Sequence, residues 1–153
     1  MIGDWLGEDD QSTYYEAKII EQFTGDKISE IILNQGGNSN CTYNNYPLFI
    51  SGNELLVFLK EYTCQETYNT YYRITGGPQT VLHAVIDKNG NAYYLYCSSI
   101  SLLDPEGVIE TLPHDSFTYE LYQKLILEDP ELSEMPYEYI HFYSREDFLT
   151  LLP

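Results

Sequence analysis

Residues 13 to 100 alternate between short runs rich in isoleucine, valine and aromatic residues and short segments rich in glycine and asparagine. This pattern is typical of strands joined by tight turns. One hairpin is predicted from "TYYEAKIIEQF" and "KISEIIL", with the turn at "TGD". A second is predicted from "TVLHAVID" and "AYYLYCSSI", where Asn89-Gly90 is the strongest hairpin signal of the chain.

Three further runs between these hairpins also favour strands, namely "YPLFI", "ELLVFLKEY" and "ETYNTYYRIT". The segment "NQGGNSN" that precedes them is predicted to be a loop, because glycine and asparagine are typical turn residues. Successive hairpins predict an antiparallel meander, either curled or closed into a barrel.

After residue 100 the pattern changes to helical spacing. The run "HDSFTYELYQKLILED" predicts a helix that begins after an N-cap at Asp115 or Ser116 and ends at Asp129-Pro130. The alternating run "YEYIHFY" predicts a strand, and "SREDFLTLLP" predicts a short helix capped by Ser144.

The predicted fold class is α+β, mostly β, with an antiparallel meander or barrel-like sheet and one or two C-terminal helices. We expect one domain over residues 1–153. Residues 1–103 would form the antiparallel sheet or barrel, and residues 104–153 would form an acidic helical region with one further strand.

The start of the chain carries one family resemblance. Gly3-Asp4-Trp5 resembles the G-x-W signature that begins the first strand of lipocalin-like barrels, and the tyrosine-bearing run "TYYEAKIIEQFTGDK" follows it. The resemblance to bacterial lipocalin-like domains implies an up-and-down barrel. It also implies that Trp5 closes the barrel floor and that a ligand pocket opens at the other end.

Charge narrows the choice of partners. The chain has 24 acidic residues and 7 basic ones, a net charge of −17, and its acids concentrate in the first 26 residues and after residue 104. Such a surface repels nucleic-acid phosphates and anionic membranes and attracts basic proteins. We therefore expect no direct nucleic-acid contact and no membrane contact.

Candidate chemistry is sparse in this sequence. Cysteine and histidine are the residue types that most often act as metal ligands or nucleophiles, and the chain has six of them: Cys41, Cys64, Cys97, His83, His114 and His141. None of them stands at a recognised metal-ligand spacing, and no nucleophile motif is present, so we predict no metal, no cofactor and no enzymatic activity. The first residues carry no secretory leader pattern, which predicts a cytoplasmic protein with reduced thiols, or an exported one if a leader has been removed.

These observations favour a non-enzymatic binding protein that neutralises a basic partner by charge-complementary occlusion. An immunity protein against a nuclease-type toxin, or a phage-type inhibitor that mimics nucleic acid and occupies a basic channel, would have this composition. The predicted partner-binding residues are Glu8, Asp9, Asp10, Glu128, Asp129, Glu131, Glu134, Tyr137 and Tyr139. Two alternatives stay open: a lipocalin-like module for a small apolar ligand, and an enzyme with an unrecognised site.

Overall fold

A computed structural model describes residues 1–42, 46–63, 69–76, 80–97, 110–150 and 152. The chain divides into two compact units: unit 1 contains Met1–Asn53 and Val57–Thr80, and unit 2 contains Glu54–Leu56 and Val81–Pro153. The expectation of a single domain stays a prediction. The predicted change from sheet to helical region at residues 103 and 104 lies outside the described residues.

Over the described residues, unit 1 is built on a six-stranded sheet. Its strands are β1 (Ile2–Glu8), β2 (Ser12–Lys18), β3 (Glu30–Asn38), β4 (Cys41–Thr42), β6 (Leu59–Thr63) and β7 (Thr70–Ile74). The spatial order is β1-β2-β3-β7-β6, and β4 pairs with the end of β3. All pairs are antiparallel except β3 and β7, which run parallel and pair only at Leu33↔Tyr72 and Asn34↔Arg73.

The core of unit 1 follows the period of two that a half-buried sheet requires. On β2, Tyr15 and Ala17 are buried while Glu16 between them is exposed, and on β3 Leu33 is buried as well. Phe49 packs beside Tyr15, with ring centroids 6.0 Å apart. This alternation fixes the register of the predicted first hairpin, whose two strands pair from Ser12↔Gly36 to Lys18↔Glu30.

Two local predictions in unit 1 are wrong. The segment "NQGGNSN" was predicted to be a loop, but its first five residues belong to β3, which continues through Gly36 and Gly37 to Asn38. The run "YPLFI" is not a strand; the Gln35 side chain binds its main chain, donating to the Pro47 carbonyl (2.8 Å) and accepting from the Phe49 N–H (2.9 Å). An amide side chain thus replaces the predicted strand partner.

The run "ELLVFLKEY" is not one strand either. Its beginning forms β5 (Leu55–Leu56), which pairs with a strand of unit 2, and its end forms β6, which pairs with β7 in unit 1. Both halves are apolar enough to be strands, so the sequence pattern alone does not show that they pair in different sheets.

Unit 2 contains a four-stranded antiparallel sheet between two helices. The sheet order is β10 (Ile140–Ser144), β9 (Ala92–Cys97), β8 (Leu82–Ile86) and β5. The helix α1 (Ser116–Glu128) packs on one face, where Phe117 contacts Tyr93, and α2 (Arg145–Leu149) packs on the other, where Phe148 contacts Tyr94 and Tyr143. Successive residues of β9 therefore point to opposite helices, and the last four residues of the strand are buried.

The predicted helix starts are confirmed. Asp115 is the N-cap of α1 and accepts hydrogen bonds from the N–H groups of Phe117 and Thr118, while the Thr118 hydroxyl accepts from the Asp115 N–H. Ser144 caps α2 by accepting from the Asp147 N–H. These side chains satisfy backbone donors that have no partner inside the helix.

The fold class is confirmed as α+β and mostly β, with two C-terminal helices. Over the described residues neither sheet closes into a barrel, and the parallel pair of β3 and β7 interrupts the antiparallel meander. Trp5 is 61% exposed, so it does not close the floor of a barrel. The predicted strand "YEYIHFY" begins late, because Tyr137–Tyr139 forms a short 3-10 helix before β10.

The turn after β7 yields the first testable prediction. Gly76 has φ +83, and an added Cβ would lie 2.5 Å from Cγ2 of Thr80, whose hydroxyl is held by the Thr75 carbonyl (2.6 Å). We expect Gly76→Ala to lower the free energy of unfolding by about 2 kcal/mol or more, because the positive φ is strained for alanine and the new Cβ would also clash with Thr80. Gly52→Ala, with φ +96 and open space around the new Cβ, is the matched control.

Urea titrations of the two variants measure this difference. We expect Gly52→Ala to cost about 1 kcal/mol, the conformational penalty alone. Equal losses for the two variants would contradict the packing of Thr80 against Gly76.

Candidate functional site

The first predicted set of acids, Glu8, Asp9 and Asp10, lies in unit 1 where β1 turns into β2. The Glu8 carboxylate accepts hydrogen bonds from the Ser39 N–H (2.9 Å) and the Ser39 hydroxyl (2.5 Å). The Asp9 carboxylate accepts from the N–H groups of Gln11 and Ser12, both at 2.8 Å, and from the Tyr14 hydroxyl at 2.7 Å. Asp9 therefore organises its own turn, and Glu8 binds the turn that follows β3.

These contacts keep both groups ionised. The hydrogen bond from the Ser39 side chain, and then that from its N–H, lowers the pKa of Glu8. The hydrogen bond from Tyr14 is the largest cause that lowers the pKa of Asp9, and burial followed by the contact with Asp9 raises the pKa of Tyr14 to about 12. Asp10 is exposed and is the member of this set most open to a partner.

The second predicted set lies in unit 2, at the end of α1 and in the 3-10 helix Pro130–Glu134 that follows it. Glu128, Glu131 and Glu134 are exposed. They follow one another within seven residues, so their charges lie on one short stretch of surface. This stretch is called the C-terminal acidic segment below.

Asp129, in the same stretch, is different because it is only 1% exposed. Its Oδ1 atom has no hydrogen-bond partner among the described residues. Burial, and then the neighbouring charge of Glu131, raises the pKa of Asp129 to about 6, against the effect of the Glu131 and Leu132 N–H groups. The side chain of Asp129 is thus directed into the unit and does not face a partner.

The two predicted tyrosines also have different environments. Tyr137 is half-buried at the centre of an aromatic cluster whose other members are His114, Tyr119, Tyr122 and Phe142, with ring centroids 4.7 to 5.7 Å from its own. Its hydroxyl lies 2.7 Å from that of Thr118 and donates to the Asp115 carbonyl. Tyr139 is 54% exposed, so it is the tyrosine that a partner can reach.

An open cleft of about 630 Å³ in unit 1 was not predicted from the sequence. It lies where β3 and β7 diverge from their short parallel pairing. Its lining includes three carboxylates and one ammonium group, from Glu16, Glu30, Glu61 and Lys18. On the wall formed by β6 and β7, the Tyr72 hydroxyl donates a hydrogen bond to the Glu61 carboxylate at 3.3 Å. A parallel pair between distant segments leaves no local sequence signal, which explains why the cleft was missed.

Two of the seven basic residues, Arg73 and Lys124, donate hydrogen bonds to neutral groups. Arg73 donates to the Asn34 side-chain oxygen (3.1 Å) and lies over the Tyr62 ring, 5.8 Å from its centroid, although its charge also lowers the pKa of Asp9. Lys124 donates to the Ile86 carbonyl at 2.6 Å. Lys88 reaches Glu120 at 4.0 Å, and both side chains are largely exposed, so this pair contributes little.

Groups that often perform catalysis are buried in unit 2. His83 is 2% exposed, and its burial lowers its pKa to about 4. Cys97 is 3% exposed, and burial followed by the charge of Asp129 raises its pKa to about 12, so its thiol is protonated. Neither residue lines the cleft, and a protonated, buried thiol is a poor nucleophile.

Two further observations concern metal binding and membrane spanning. No group of three or more histidine, cysteine, aspartate or glutamate side chains in the described residues is arranged to hold a metal ion. None of the helices in those ranges has the length and apolar character that crossing a bilayer requires.

Comparison with known proteins gives no assignment of family or function. No protein-family model, no curated protein and no solved structure matches this chain.

Proposed function

We propose that this protein is a non-enzymatic acidic binding protein that neutralises a basic partner protein by charge-complementary occlusion. Its partner would carry a basic groove or channel, as a nuclease-type toxin or another nucleic-acid-binding effector does. The carboxylates would take the place of nucleic-acid phosphates, in the manner of an immunity protein or a phage-type inhibitor. Opposite potentials also speed association with such a partner.

The uncompensated negative charge of both units carries this proposal. Unit 1 has ten acidic residues and four basic ones, and unit 2 has fourteen and three, which gives net charges of −6 and −11. The contacts of Arg73 and Lys124 with neutral oxygens leave many carboxylates without an internal cation. Such charge destabilises a compact protein by self-repulsion, and binding a basic partner would remove that cost.

The residues favoured for contact are the exposed members of the predicted sets other than Glu8 and Asp9, whose carboxylates already accept hydrogen bonds. They are Asp10 in unit 1 and Glu128, Glu131, Glu134 and Tyr139 in unit 2. A tyrosine beside carboxylates suits an interface, because its ring supplies contact area and its hydroxyl supplies a hydrogen bond. Glu8 and Asp9 would act by their charge while their hydrogen bonds hold the turn after β3 and the turn between β1 and β2.

The alternatives receive less support. A lipocalin-like module needs an enclosed apolar cavity, whereas the cleft of unit 1 is open and is lined by carboxylates. An enzyme needs reactive groups in a concave site, whereas His83 and Cys97 are buried in unit 2 and are not among the residues that line the cleft of unit 1. The proposed location is the cytoplasm, where the thiols of Cys41 and Cys97 would stay reduced.

Affinity capture from a lysate of the source organism tests the proposal. Immobilised protein is incubated at 0.05 M NaCl, and retained proteins are identified by mass spectrometry and purified. We expect a partner with a strongly basic surface that elutes by 0.5 M NaCl, where the Debye length falls below roughly 5 Å.

Two matched variants make this experiment specific. Glu128→Gln, Glu131→Gln and Glu134→Gln together neutralise the C-terminal acidic segment, and the Glu→Asp changes at the same positions preserve its charge. We expect the glutamine variant to bind the purified partner at least about tenfold more weakly and the aspartate variant to bind like the parent. Retention of neutral or acidic partners only would refute the proposal.

A further inference from the structure

The cleft of unit 1 exposes a strand edge. β2 covers one edge of β3 along all seven register pairs, from Ser12↔Gly36 to Lys18↔Glu30. On the other edge, β7 pairs with Leu33 and Asn34, and β4 pairs with Gly37 and Asn38. Over the described residues, no strand pairs with that edge at Glu30–Ile32, which is the part of β3 that lines the cleft.

The hydrogen-bond pattern shows where the main-chain groups of this edge point. Met1 and Lys18 exchange two main-chain hydrogen bonds, at 2.8 and 2.9 Å, so the N–H and C=O of Lys18 face β1. Because these groups alternate along an antiparallel ladder, those of Ala17 face β3 and bind Ile31. The N–H and C=O groups of Glu30 and Ile32 are therefore directed away from β2. Those of Glu30 and the N–H of Ile32 face the open cleft, whereas the Ile32 carbonyl belongs to the parallel pairing of Leu33 with Tyr72.

The opposite wall of the cleft is formed by β7, which also directs main-chain N–H and C=O groups toward the cleft. The Thr75 N–H donates to the Phe58 carbonyl at 2.7 Å, which places alternate groups of β7 toward β6. By the same alternation, the main-chain groups of Thr70 and Tyr72 face β3. Since β3 and β7 pair only at Leu33 and Asn34, the groups of Thr70 lie in the open part of the cleft. Two strand edges thus border one concave space.

The side chains beside these edges are mostly carboxylates, so they favour a positively charged segment in the cleft. Glu30 lies on the exposed face of the sheet, directly opposite Lys18 of β2 and diagonal to Glu16 of the same strand. Glu61 pairs with Tyr72, which pairs with Leu33, so Glu61 lies on the other face. A strand placed along β3 would meet carboxylates on both of its faces, and Lys18 is the one cation in the described lining.

We propose that this cleft binds an extended segment of the basic partner as an additional β-strand along Glu30–Ile32. The positive charge of the segment rests on the proposed function, whereas the pairing mode rests on the strand edges. Main-chain hydrogen bonds would supply affinity, and lysine or arginine side chains opposite Glu16, Glu30 and Glu61 would supply specificity. Unpaired strand edges are a recognised template for such addition.

A peptide titration tests this inference on the full chain. The probe is a fluorescein-labelled octapeptide of alternating lysine and valine, and its binding is followed by fluorescence anisotropy. We expect saturable binding, with the largest amide shifts at Glu30, Ile32 and Thr70 in an NMR titration. The same peptide with N-methyl groups on alternate amides keeps its charge but loses donors, and we expect it to bind at least about tenfold more weakly.

Charge-reversal variants provide the second arm. The cleft variant carries Glu16→Lys, Glu30→Lys and Glu61→Lys, and the control carries Asp4→Lys, Glu21→Lys and Asp26→Lys, which are exposed residues of unit 1 outside the cleft. Both sets change the net charge equally. We expect the cleft variant to lose at least about tenfold in affinity and the control to change by less than about threefold.

The outcomes separate the two proposals. Equal binding of the N-methylated peptide, equal losses in both lysine variants, or no binding of the probe would overturn strand addition. If the captured partner binds the cleft variant as tightly as the control, strand addition fails while the proposed function stands. If no basic protein is captured, the proposed function fails, and the peptide titration still decides whether the cleft binds a strand.

Discussion

Replacing Phe142 by alanine is expected to lower the free energy of unfolding by about 3 to 5 kcal/mol. Phe142 is 0% exposed and lies on β10, opposite Leu95 of β9. Its ring packs against His114 and Tyr137 with centroids 5.7 Å away from each. The truncation removes buried apolar surface and leaves a cavity between the sheet and the aromatic cluster.

Urea unfolding followed by circular dichroism measures this loss, and hydrogen exchange of the β9 and β10 amides assigns it to unit 2. Leu127→Ala is the matched control, because Leu127 belongs to α1 and is 80% exposed. The control should change the free energy of unfolding by about 0.5 kcal/mol or less. A loss below about 1 kcal/mol for Phe142→Ala would contradict the packing of the aromatic cluster on the sheet.

Replacing Asp129 by asparagine is expected to stabilise the protein at pH 8 by about 2 kcal/mol. The folded pKa of about 6 lies above the value of about 3.9 expected in the unfolded chain. Between these two values the folded state binds a proton that the unfolded state lacks, so stability rises as the pH falls through 6. Above pH 7 the buried carboxylate is charged in full, and the neutral amide removes that cost.

The measurement is the free energy of unfolding from pH 8 to pH 5, compared between the variant and the parent. The comparison is needed because His83, whose folded pKa is lowered to about 4, acts in the opposite direction: it must become charged on unfolding at acid pH. Glu128→Gln removes a neighbouring exposed charge and serves as the control. Parallel pH profiles for Asp129→Asn and the parent would show that Asp129 is not a buried carboxylate.

Local signals predicted much of the secondary structure. Asn89-Gly90 marked the hairpin of β8 and β9, and Asp115 marked the start of α1, because turn and cap chemistry act over a few residues. The amphipathic runs likewise predicted α2 and the hairpin of β2 and β3.

The errors have long-range causes. Gly36 and Gly37 look like loop residues, but pairing with β2 and β4 keeps them in a strand. The parallel contact of β3 with β7 joins segments about 40 residues apart, and hydrophobic periodicity carries no information on that pairing. The cleft could not be predicted without it.

The candidate site was predictable in its charge and not in its geometry. The acidic stretches are evident from the sequence, but the sequence did not show that Asp129 is buried or that Glu8 and Asp9 accept hydrogen bonds from two different turns. Hydrogen bonds and burial decide which carboxylates a partner can reach. The structure therefore reduces the number of carboxylates that we expect to contact a partner, and that contact stays a prediction.

Electrostatic occlusion of a basic partner is the central claim, and the salt dependence of the dissociation constant tests it most directly. The captured partner is purified, and its Kd is measured by isothermal titration calorimetry at 0.05 and 0.5 M NaCl. We expect Kd to rise at least about a hundredfold over this range, because carboxylates in contact with Lys and Arg clusters are screened by salt. A change of less than about threefold would contradict the account.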